Sequence, residues 1–347
     1  MSIIDAAAYN YISDNYRFAD ICNAVLFNGQ QLVNPGLLRD VDSKNLLLAH
    51  GDAPILKRKG LKDFQRFRDV IKGFSVKTDG NLTFMMVGIE NQSYINYGMP
   101  LKVLQYDVDN YSTQAKQLIA SHLEKGEYKT IDSQSTTNEF LGGLTKEDRL
   151  SPVITIVIYF GTEPWDAPTS FREMLGNCPN EILEWLPDYK YRLISPSTLS
   201  EEELSKFHSD FPDIMEFIRL SKDKNRMKTL LMQIPKFRHL RIDAAQLLVA
   251  CTKIKIEIDT DKEEIDMCQA FFDFKEEGRA EGRAEGRAEG RAEGRAEGRA
   301  EGGIQMLYDL VLQQVLPIDV AITHSKLSID KFHAGLQAYA ASSGDKS

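Results

Sequence analysis

The stretch that most constrains the fold is residues 66–93, where two strand-like runs flank the pair Asp79-Gly80. A two-residue type I′ turn needs positive φ at both central positions, and Asp-Gly supplies it. With these two residues as the loop, the numbers of every cross-strand pair sum to 159. This register places Asp69 directly opposite Glu90. The stretch therefore predicts a β-hairpin that brings two carboxylates together.

Alternate residues of the hairpin divide into two faces. One predicted face is apolar apart from Lys72, and the other carries Asp69, Glu90 and, two residues further on, Gln92. Like charges directly opposite each other in a sheet are unfavourable, and a divalent cation between the two carboxylates would remove the repulsion. The alternative is a solvated strand end where two acids meet by chance, because a single bulge at a glycine would break the register.

Composition indicates a soluble globular protein, since 42% of the 347 residues are hydrophobic and 27% are charged. No apolar run approaches the roughly 18 residues of a membrane span, and the first residues lack the form of a signal peptide, so we expect a cytoplasmic chain with no membrane partner. The four cysteines form no CxxC pair and the six histidines form no paired motif. A disulfide framework or a zinc site is therefore not predicted.

Positive charge is concentrated in two places, although the net charge of -9 argues against general attraction to nucleic acid. Residues 57–77 hold eight Lys or Arg against two Asp, and residues 219–241 hold eight against one. Such patches can neutralise phosphates. The alternative is solvated faces balanced by the acidic run 257–277. The candidate DNA contacts are Lys57, Arg58, Lys59, Arg66 and Arg68.

Apolar spacing predicts an amphipathic helix over residues 14–27 with Asp14 as its N-cap. Asp20 falls off the apolar stripe, so it is either a third carboxylate reaching the hairpin or an exposed helix residue. A second helix is predicted over residues 101–123. The β-branched run within residues 152–160 predicts a strand buried on both faces of a sheet.

Residues 277–301 are six copies of Glu-Gly-Arg-Ala followed by a final Glu, and we call this segment the array. In a helix, like charges of the array lie four residues apart, and each glycine costs about 1 kcal/mol relative to alanine. Two interpretations stay open: a flexible linker, or a small-residue helical stalk supported by partner chains. Short helices are predicted beyond it, and the last two look like a helix-turn-helix. A packing or dimerising module is at least as well supported as a DNA reader.

Several segments together resemble the Rpn family of recombination-promoting nucleases and putative transposases, within the PD-(D/E)XK nuclease superfamily. The segments that carry the resemblance are FADICNAVLF (18–27), RDVIKG (68–73), VGIENQSYINYGMPLKVLQYDVDNYSTQ (87–114), VIYFGTEPW (157–165) and the array followed by GIQMLYDLV (303–311). The resemblance implies an α/β fold: a restriction-endonuclease-like central mixed sheet flanked by helices, with a helical C-terminal extension.

The resemblance also implies a set of site residues. In that superfamily an Asp on one hairpin strand and a Glu-x-Lys on the next bind Mg²⁺, or Mn²⁺, and activate water. Asp69 matches the first position and Glu90 the second, and the backbone carbonyl of Asn91 matches a further ligand. Gln92 stands at the position of the Lys in the Glu-x-Lys pattern of the superfamily. A glutamine carries no positive charge, so it can only orient water by hydrogen bonding.

Either the metal then contributes more of the charge stabilisation, or a nearby cation supplies the missing charge, and the candidates are Lys72, Arg68 and Lys102. The predicted function is a Mg²⁺-dependent DNA endonuclease, linked to recombination or mobile DNA, with Asp69, Glu90 and Gln92 as catalytic residues. The alternative is a catalytically weak or inactive DNA-binding or oligomerisation protein. A homo-oligomer through the array and the module beyond it is the other predicted partnership. The predicted organisation is a nuclease domain (1–200), a helical extension (201–276), a linker or stalk (277–302), a small helical module (303–341) and a disordered tail (342–347).

Overall fold

The computed structural model describes residues 3–41, 69–78, 81–125, 137–252 and 254–343, which form two compact units, 1–271 and 272–347. The helices are α1 Ile3–Ser13, α2 Asn15–Leu26, α3 Met99–Lys125, α4 Thr137–Gly142, α5 Asn180–Leu183, α6 Glu201–Leu204, α7 Phe211–Leu220, α8 Lys224–Gln233, α9 Ile242–Thr252, α10 Met267–Leu312, α11 Ile318–Ser325 and α12 Ile329–Ser343. The strands are β1 Arg39–Asp40, β2 Val70–Thr78, β3 Asn81–Gln92, β4 Val153–Tyr159, β5 Arg192–Ile194, β6 Leu240–Arg241 and β7 Glu264–Ile265.

The β2–β3 hairpin is the centre of the first unit. Its strands pair antiparallel without a bulge from Thr78–Asn81 to Val70–Ile89, which confirms the predicted register. The turn residues between Thr78 and Asn81 lie outside the described residues. Gly73 allows the close approach of a neighbouring side chain, because a Cβ at this position would lie 2.7 Å from Cζ of Phe84.

A five-stranded mixed sheet grows from this hairpin in the order β1-β2-β3-β4-β5. β1 pairs antiparallel with β2, while β4 runs parallel to β3 and β5 runs parallel to β4. Six of the seven residues of β4 are buried, as expected for a strand covered on both faces. The predicted α/β class with a central mixed sheet is confirmed.

The two faces of the sheet are covered by different helices. The apolar face of the hairpin packs in a large core with α1, α2, α7 and α9, and that core continues to Phe271. On the opposite face, Met99 and Val103 of α3 cover Val157 of β4, together with Tyr191. Helices from the predicted extension 201–276 therefore share the core of the hairpin, and the domain boundary at residue 200 stays a prediction.

A buried arginine joins the helices of the large core. Arg17 of α2 is 2% exposed, and its guanidinium donates to Asp210 at 2.7 and 2.8 Å and to Asp243 at 2.7 and 3.2 Å. It stacks 4.0 Å from the ring centroid of Tyr11, whose hydroxyl also donates to Asp210 at 2.8 Å. Burial alone would raise the pKa of Asp243, but the hydrogen bonds and charges of Arg17 and Arg241 hold it below the usual value. We call these residues the Arg17 network.

Several local predictions are confirmed and others are corrected. Asp14 caps α2 by accepting the Arg17 amide at 3.0 Å. The sequence Ser200-Glu201-Glu202-Glu203 predicts a capping box at the start of a helix, and Ser200 forms it with Glu203. The polar sequence of residues 126–150 predicts a loop, yet α4 lies within them; residues 126–136 are outside the described part. The helix α1 had no prediction. It is rich in alanine, and its place is set by contacts with α9 rather than by a clear polar face.

The second unit consists of the rest of α10, which contains the array, followed by α11 and α12. α10 runs through the whole array, and residues 277–303 are all exposed. Beyond it Tyr308, Ala321 and Phe332 form a small core with α11 and α12. The array is therefore part of one helix in the structure, and the choice between a linker and a stalk supported by partner chains stays a prediction. The helix α12 includes the first two residues of the predicted disordered tail, whose last four lie outside the described residues. In the described part of the chain, no helix is both long and apolar enough to span a membrane.

Candidate active site

The predicted site residues meet where β2 begins, β3 ends and α3 starts. Asp69 immediately precedes β2, while Glu90, Asn91 and Gln92 are the last residues of β3. Lys102 lies in the first turns of α3, which follows β3 after a short loop. The hairpin register and the β3–α3 connection together place these side chains at one end of the sheet.

Asp69 is held against the end of β3 by a backbone hydrogen bond. The amide of Asn91 donates to its Oδ2 at 2.8 Å, and the pairing of Val70 with Ile89, continued by one residue, sets Asp69 opposite Glu90. Burial raises the pKa of Asp69 to about 6; the Asn91 hydrogen bond and Lys102 oppose the rise, and the charge of Asp5 adds to it. A carboxyl group held in this way is partly protonated near neutral pH until a cation approaches.

Glu90 is 3% exposed and has two cationic or polar neighbours. Lys102 forms an ion pair with its Oε1, and the Gln92 amide donates to the same oxygen at 2.9 Å. The Lys102 ammonium also lies 5.7 Å from the ring centroid of Tyr106, which is itself buried. Of the three candidate cations, Lys102 is therefore brought to the carboxylates by the fold.

Gln92 connects two of the predicted metal ligands. Its Nε2 donates to Glu90 and, at 3.0 Å, to the backbone carbonyl of Asn91. Gln92 is 4% exposed, and its Oε1 has no hydrogen-bond partner among the described residues. The side chain therefore presents a buried acceptor that could take a hydrogen bond from water.

Asp5 is a site neighbour that sequence reasoning missed. It lies in α1, accepts a hydrogen bond from the Ser93 hydroxyl at 3.0 Å and contributes to the raised pKa of Asp69. Asp5 and Ser93 are 88 positions apart, so no local periodicity connects them. The only sequence signal was a lone acidic residue before an alanine-rich run.

Two predicted accessory residues are not at the site. Asp20 is neither a third ligand nor an exposed helix residue: it is 3% exposed and accepts the backbone amides of His208 and Ser209 at 2.8 to 3.0 Å. Lys72 belongs to the opposite face of the hairpin, where its ammonium bonds Asn15 and Asp40 at 2.7 Å. Both side chains are buried and make hydrogen bonds away from the site, so their role is structural.

The two basic clusters have different outcomes. Arg68 and the DNA-contact candidates Lys57, Arg58, Lys59 and Arg66 lie outside the described residues. In the second cluster four residues form ion pairs with carboxylates that lie outside the acidic run 257–277, so both interpretations of this cluster stay predictions. The pairs are Arg219–Glu216, Lys222–Glu163, Lys236–Asp213 and Arg241 with Asp14 and Asp243.

The donor set of the site suits a hard cation. Asp69, Glu90 and the Asn91 carbonyl offer only oxygen atoms, which Mg²⁺ and Mn²⁺ prefer. Among the described residues, no group of three or more His, Cys, Asp or Glu side chains is arranged to hold a metal ion. The arrangement consists of two carboxylates and one carbonyl, with a lysine beside them.

The hairpin brings Asp69 and Glu90 together at one end of a mixed sheet, which is the arrangement that the sequence resemblance implied. Residues 62–240, more than half of the chain, match the family model described as putative transposase, YhgA-like. The chain belongs to this family, which is the PD-(D/E)XK-type family of the predicted resemblance. No curated protein and no solved structure matches the chain.

Proposed function

We propose that the protein is a Mg²⁺-dependent or Mn²⁺-dependent DNA endonuclease that hydrolyses phosphodiester bonds in recombination or mobile-element processes. The observation that carries the proposal is the convergence of Asp69, Glu90, Gln92 and Lys102 at the end of the hairpin. Family membership supports it at the coarser level of a transposase-like protein.

In this proposal Asp69, Glu90 and the backbone carbonyl of Asn91 hold the metal ion. When bound, the ion supplies Lewis acidity and charge stabilisation for hydrolysis of a phosphodiester. The raised pKa of Asp69 is consistent with this role, because a second positive charge at the site favours its ionised form. The ion pair with Lys102 places a positive charge directly beside Glu90.

Lys102, Gln92 and the basic residues near the hairpin have separate proposed roles. Lys102 supplies the positive charge that Gln92 lacks, and it stabilises negative charge on the phosphate as bonds change. Gln92 uses Nε2 to fix Glu90 and the Asn91 carbonyl, and its buried Oε1 accepts a hydrogen bond from the attacking water. The basic residues at 57–59, 66 and 68 are the proposed contacts to the DNA backbone.

The test is nicking of supercoiled plasmid with and without Mg²⁺ by the wild type, Asp69→Ala and Glu90→Ala. We expect EDTA and either substitution to remove activity by at least about 10³-fold, since each removes part of the charge stabilisation. Asp166→Ala serves as a control, because Asp166 accepts a hydrogen bond from Tyr97 at the surface. Activity that survives both substitutions would sink the proposal.

The second candidate function is a DNA-binding or assembly protein with little or no catalysis, and Gln92 in place of lysine is the observation that favours it. That protein would retain DNA in the presence of EDTA and would leave plasmid intact in Mg²⁺. In either case we propose self-association through the array and the helices beyond it.

A further inference from the structure

The array is a helix whose own charges cannot neutralise one another. Glu and Arg are two positions apart along the chain, so they do not face each other, whereas Glu faces Glu and Arg faces Arg at four positions. The whole array is described, and no ion pair joins its residues. Instead Arg283 and Arg299 donate through Nε to the carbonyls of Arg279 and Arg295, each at 3.2 Å. The carboxylates and guanidiniums are left facing solvent.

The glycines of the array are not required by the fold of the described chain. Gly278 and every fourth residue to Gly302 form one row on α10, and nothing lies within 4 Å of a Cβ built at any of them. A continuous row of glycine allows the backbone of a second helix to approach closely. The neighbours of this row have a fixed order: Glu lies along one side and Arg along the other.

The alanines of the array form a second row, four residues apart, on the side of α10 opposite the glycines. Where the array ends, the glycine row stays exposed to solvent and the alanine row does not. Four residues past Gly302 the glycine row reaches Met306, which is 64% exposed. The alanine row continues instead into Ile304 and the buried Tyr308, which pack against α11 and α12. An exposed apolar side chain at the end of the glycine row provides area that a partner helix can bury.

We propose that the array pairs in parallel with the array of a second copy of the chain, through the glycine row between Gly294 and Met306. This pairing specifies the orientation of the proposed self-association, and it does not depend on nuclease activity. A two-fold axis along the helices sets the Glu side of each copy against the Arg side of the other along both edges. An antiparallel pair would set Glu against Glu and Arg against Arg, so charge complementarity selects the parallel arrangement.

The contact is a crossing rather than a long coiled coil. An α-helix has about 3.6 residues per turn, so each glycine of the row lies about 40° further around the helix axis than the glycine four residues before it. Rows of this spacing pack at crossing angles of roughly 40° to 50°. Two helices therefore stay in contact over a few turns, and Met306 of both copies lies at the same end of the contact only in the parallel pair.

The first experiment measures the mass of the full chain by sedimentation equilibrium, with matched substitutions on two rows. Gly294, Gly298 and Gly302→Gln places three side chains in the contact, and Ala292, Ala296 and Ala300→Gln places the same three outside it. We expect at least tenfold weaker association for the first variant and wild-type association for the second. Since glutamine is the better helix former, loss of pairing with unchanged or higher helix content excludes unfolding as the cause. A monomeric wild type, or equal behaviour of the two variants, overturns the proposal.

The second experiment tests orientation. Met306→Cys is oxidised in the full chain, with the wild type as the control for its four native cysteines. A parallel pair brings the two introduced thiols together, so a covalent dimer above the wild-type background is expected. A covalent dimer from Gly298→Cys, which lies near the middle of the proposed contact, without one from Met306→Cys, identifies an antiparallel pair and overturns the parallel assignment.

Discussion

The hairpin core and the array handle charge in opposite ways. In the core, Arg17, Lys72 and Glu90 are each about 2 to 3% exposed, and each has an opposite charge at bonding distance. In the array every charged side chain is exposed, and no ion pair joins two array residues. The comparison shows that buried charged residues in the core form ion pairs within the chain. The four-residue repeat of the array instead leaves its charged side chains to interact with solvent or with another chain.

The largest expected effect comes from removing a buried charge in the core. Arg17→Met leaves Asp210 and Asp243 without their shared partner, and we expect a loss of about 3 to 5 kcal/mol of unfolding free energy in urea titrations. Arg241→Met is the matched control: this arginine is more than half exposed, so its loss should cost less than about 1 kcal/mol. Equal losses would remove the distinction between buried and exposed pairs.

The same network predicts a pH dependence. The pKa of Asp243 is held below its usual value in the folded chain, so the unfolded state binds more protons near pH 4. Its contribution to stability is present above the ordinary pKa of about 4 and is lost as pH falls through the folded-state pKa. The stability difference between wild type and Arg17→Met should therefore narrow below about pH 4. A difference that is constant down to the acid transition would contradict this account.

The next effect concerns catalysis. Lys102→Met should lower the plasmid-nicking rate by about 10²- to 10³-fold, because it removes the cation beside Glu90, with little change in the DNA concentration for half-maximal rate. Lys102→Arg keeps the charge and should recover part of the rate. Lys190→Met is the control, since Lys190 pairs with Asp188 on the surface. An unchanged nicking rate in Lys102→Met would contradict a catalytic role for Lys102 and would mean that the metal and Gln92 are sufficient for catalysis.

Replacing one glycine in each region with alanine should change stability by a smaller amount, and in opposite directions. Gly73→Ala forces the ring of Phe84 to move, since the new Cβ lies 2.7 Å from it, and should cost about 1 kcal/mol. Gly282→Ala meets nothing within 4 Å and should stabilise the helix by about 1 kcal/mol. Thermal unfolding of the core and helix content by circular dichroism give the two readings. The same sign at both positions would contradict the contrast.

The smallest expected effect is that of salt on the array. Like charges four residues apart destabilise a helix by about 0.2 to 0.5 kcal/mol per pair, and salt screens them. In the triple Gly→Gln variant, which should not pair, helix content should rise modestly with NaCl. The Arg17 network, being buried, should be insensitive over the same range, and a parallel loss of core stability would argue against its burial.

Local rules were enough to predict the hairpin and its paired carboxylates. The Asp-Gly pair and the alternation of apolar residues determine the register from Val70 to Ile89, and Asp14 and Ser200 have the capping chemistry that α2 and α6 need. Each of these features depends on residues close together in sequence or on a fixed periodicity. The hairpin pattern left a bridging cation and a solvated strand end as alternatives; the family resemblance favoured the cation and supplied the role of Gln92, which no pattern in the chain contains.

Contacts across long sequence separations could not be predicted. Asp20 finds its backbone partners 188 and 189 residues away, and Asp5 finds Ser93 88 residues away. Lys102 could not be singled out as the cation of the site, because only the packing of α3 against the sheet brings it to Glu90. The side chain of Lys72 was assigned correctly to the apolar face, but its partners on α2 and β1 gave no local signal.

The described part of the central sheet ends in very short strands, two residues in β1 and three in β5. Unpaired backbone groups on an outer strand are where sheets of separate molecules join and aggregate. A chain that pairs through its array raises the local concentration of its own sheets. The three residues of β5 offer too little backbone for such sheets to fuse at that edge, so copies can be held together by helices without an amyloid-like route becoming easier there.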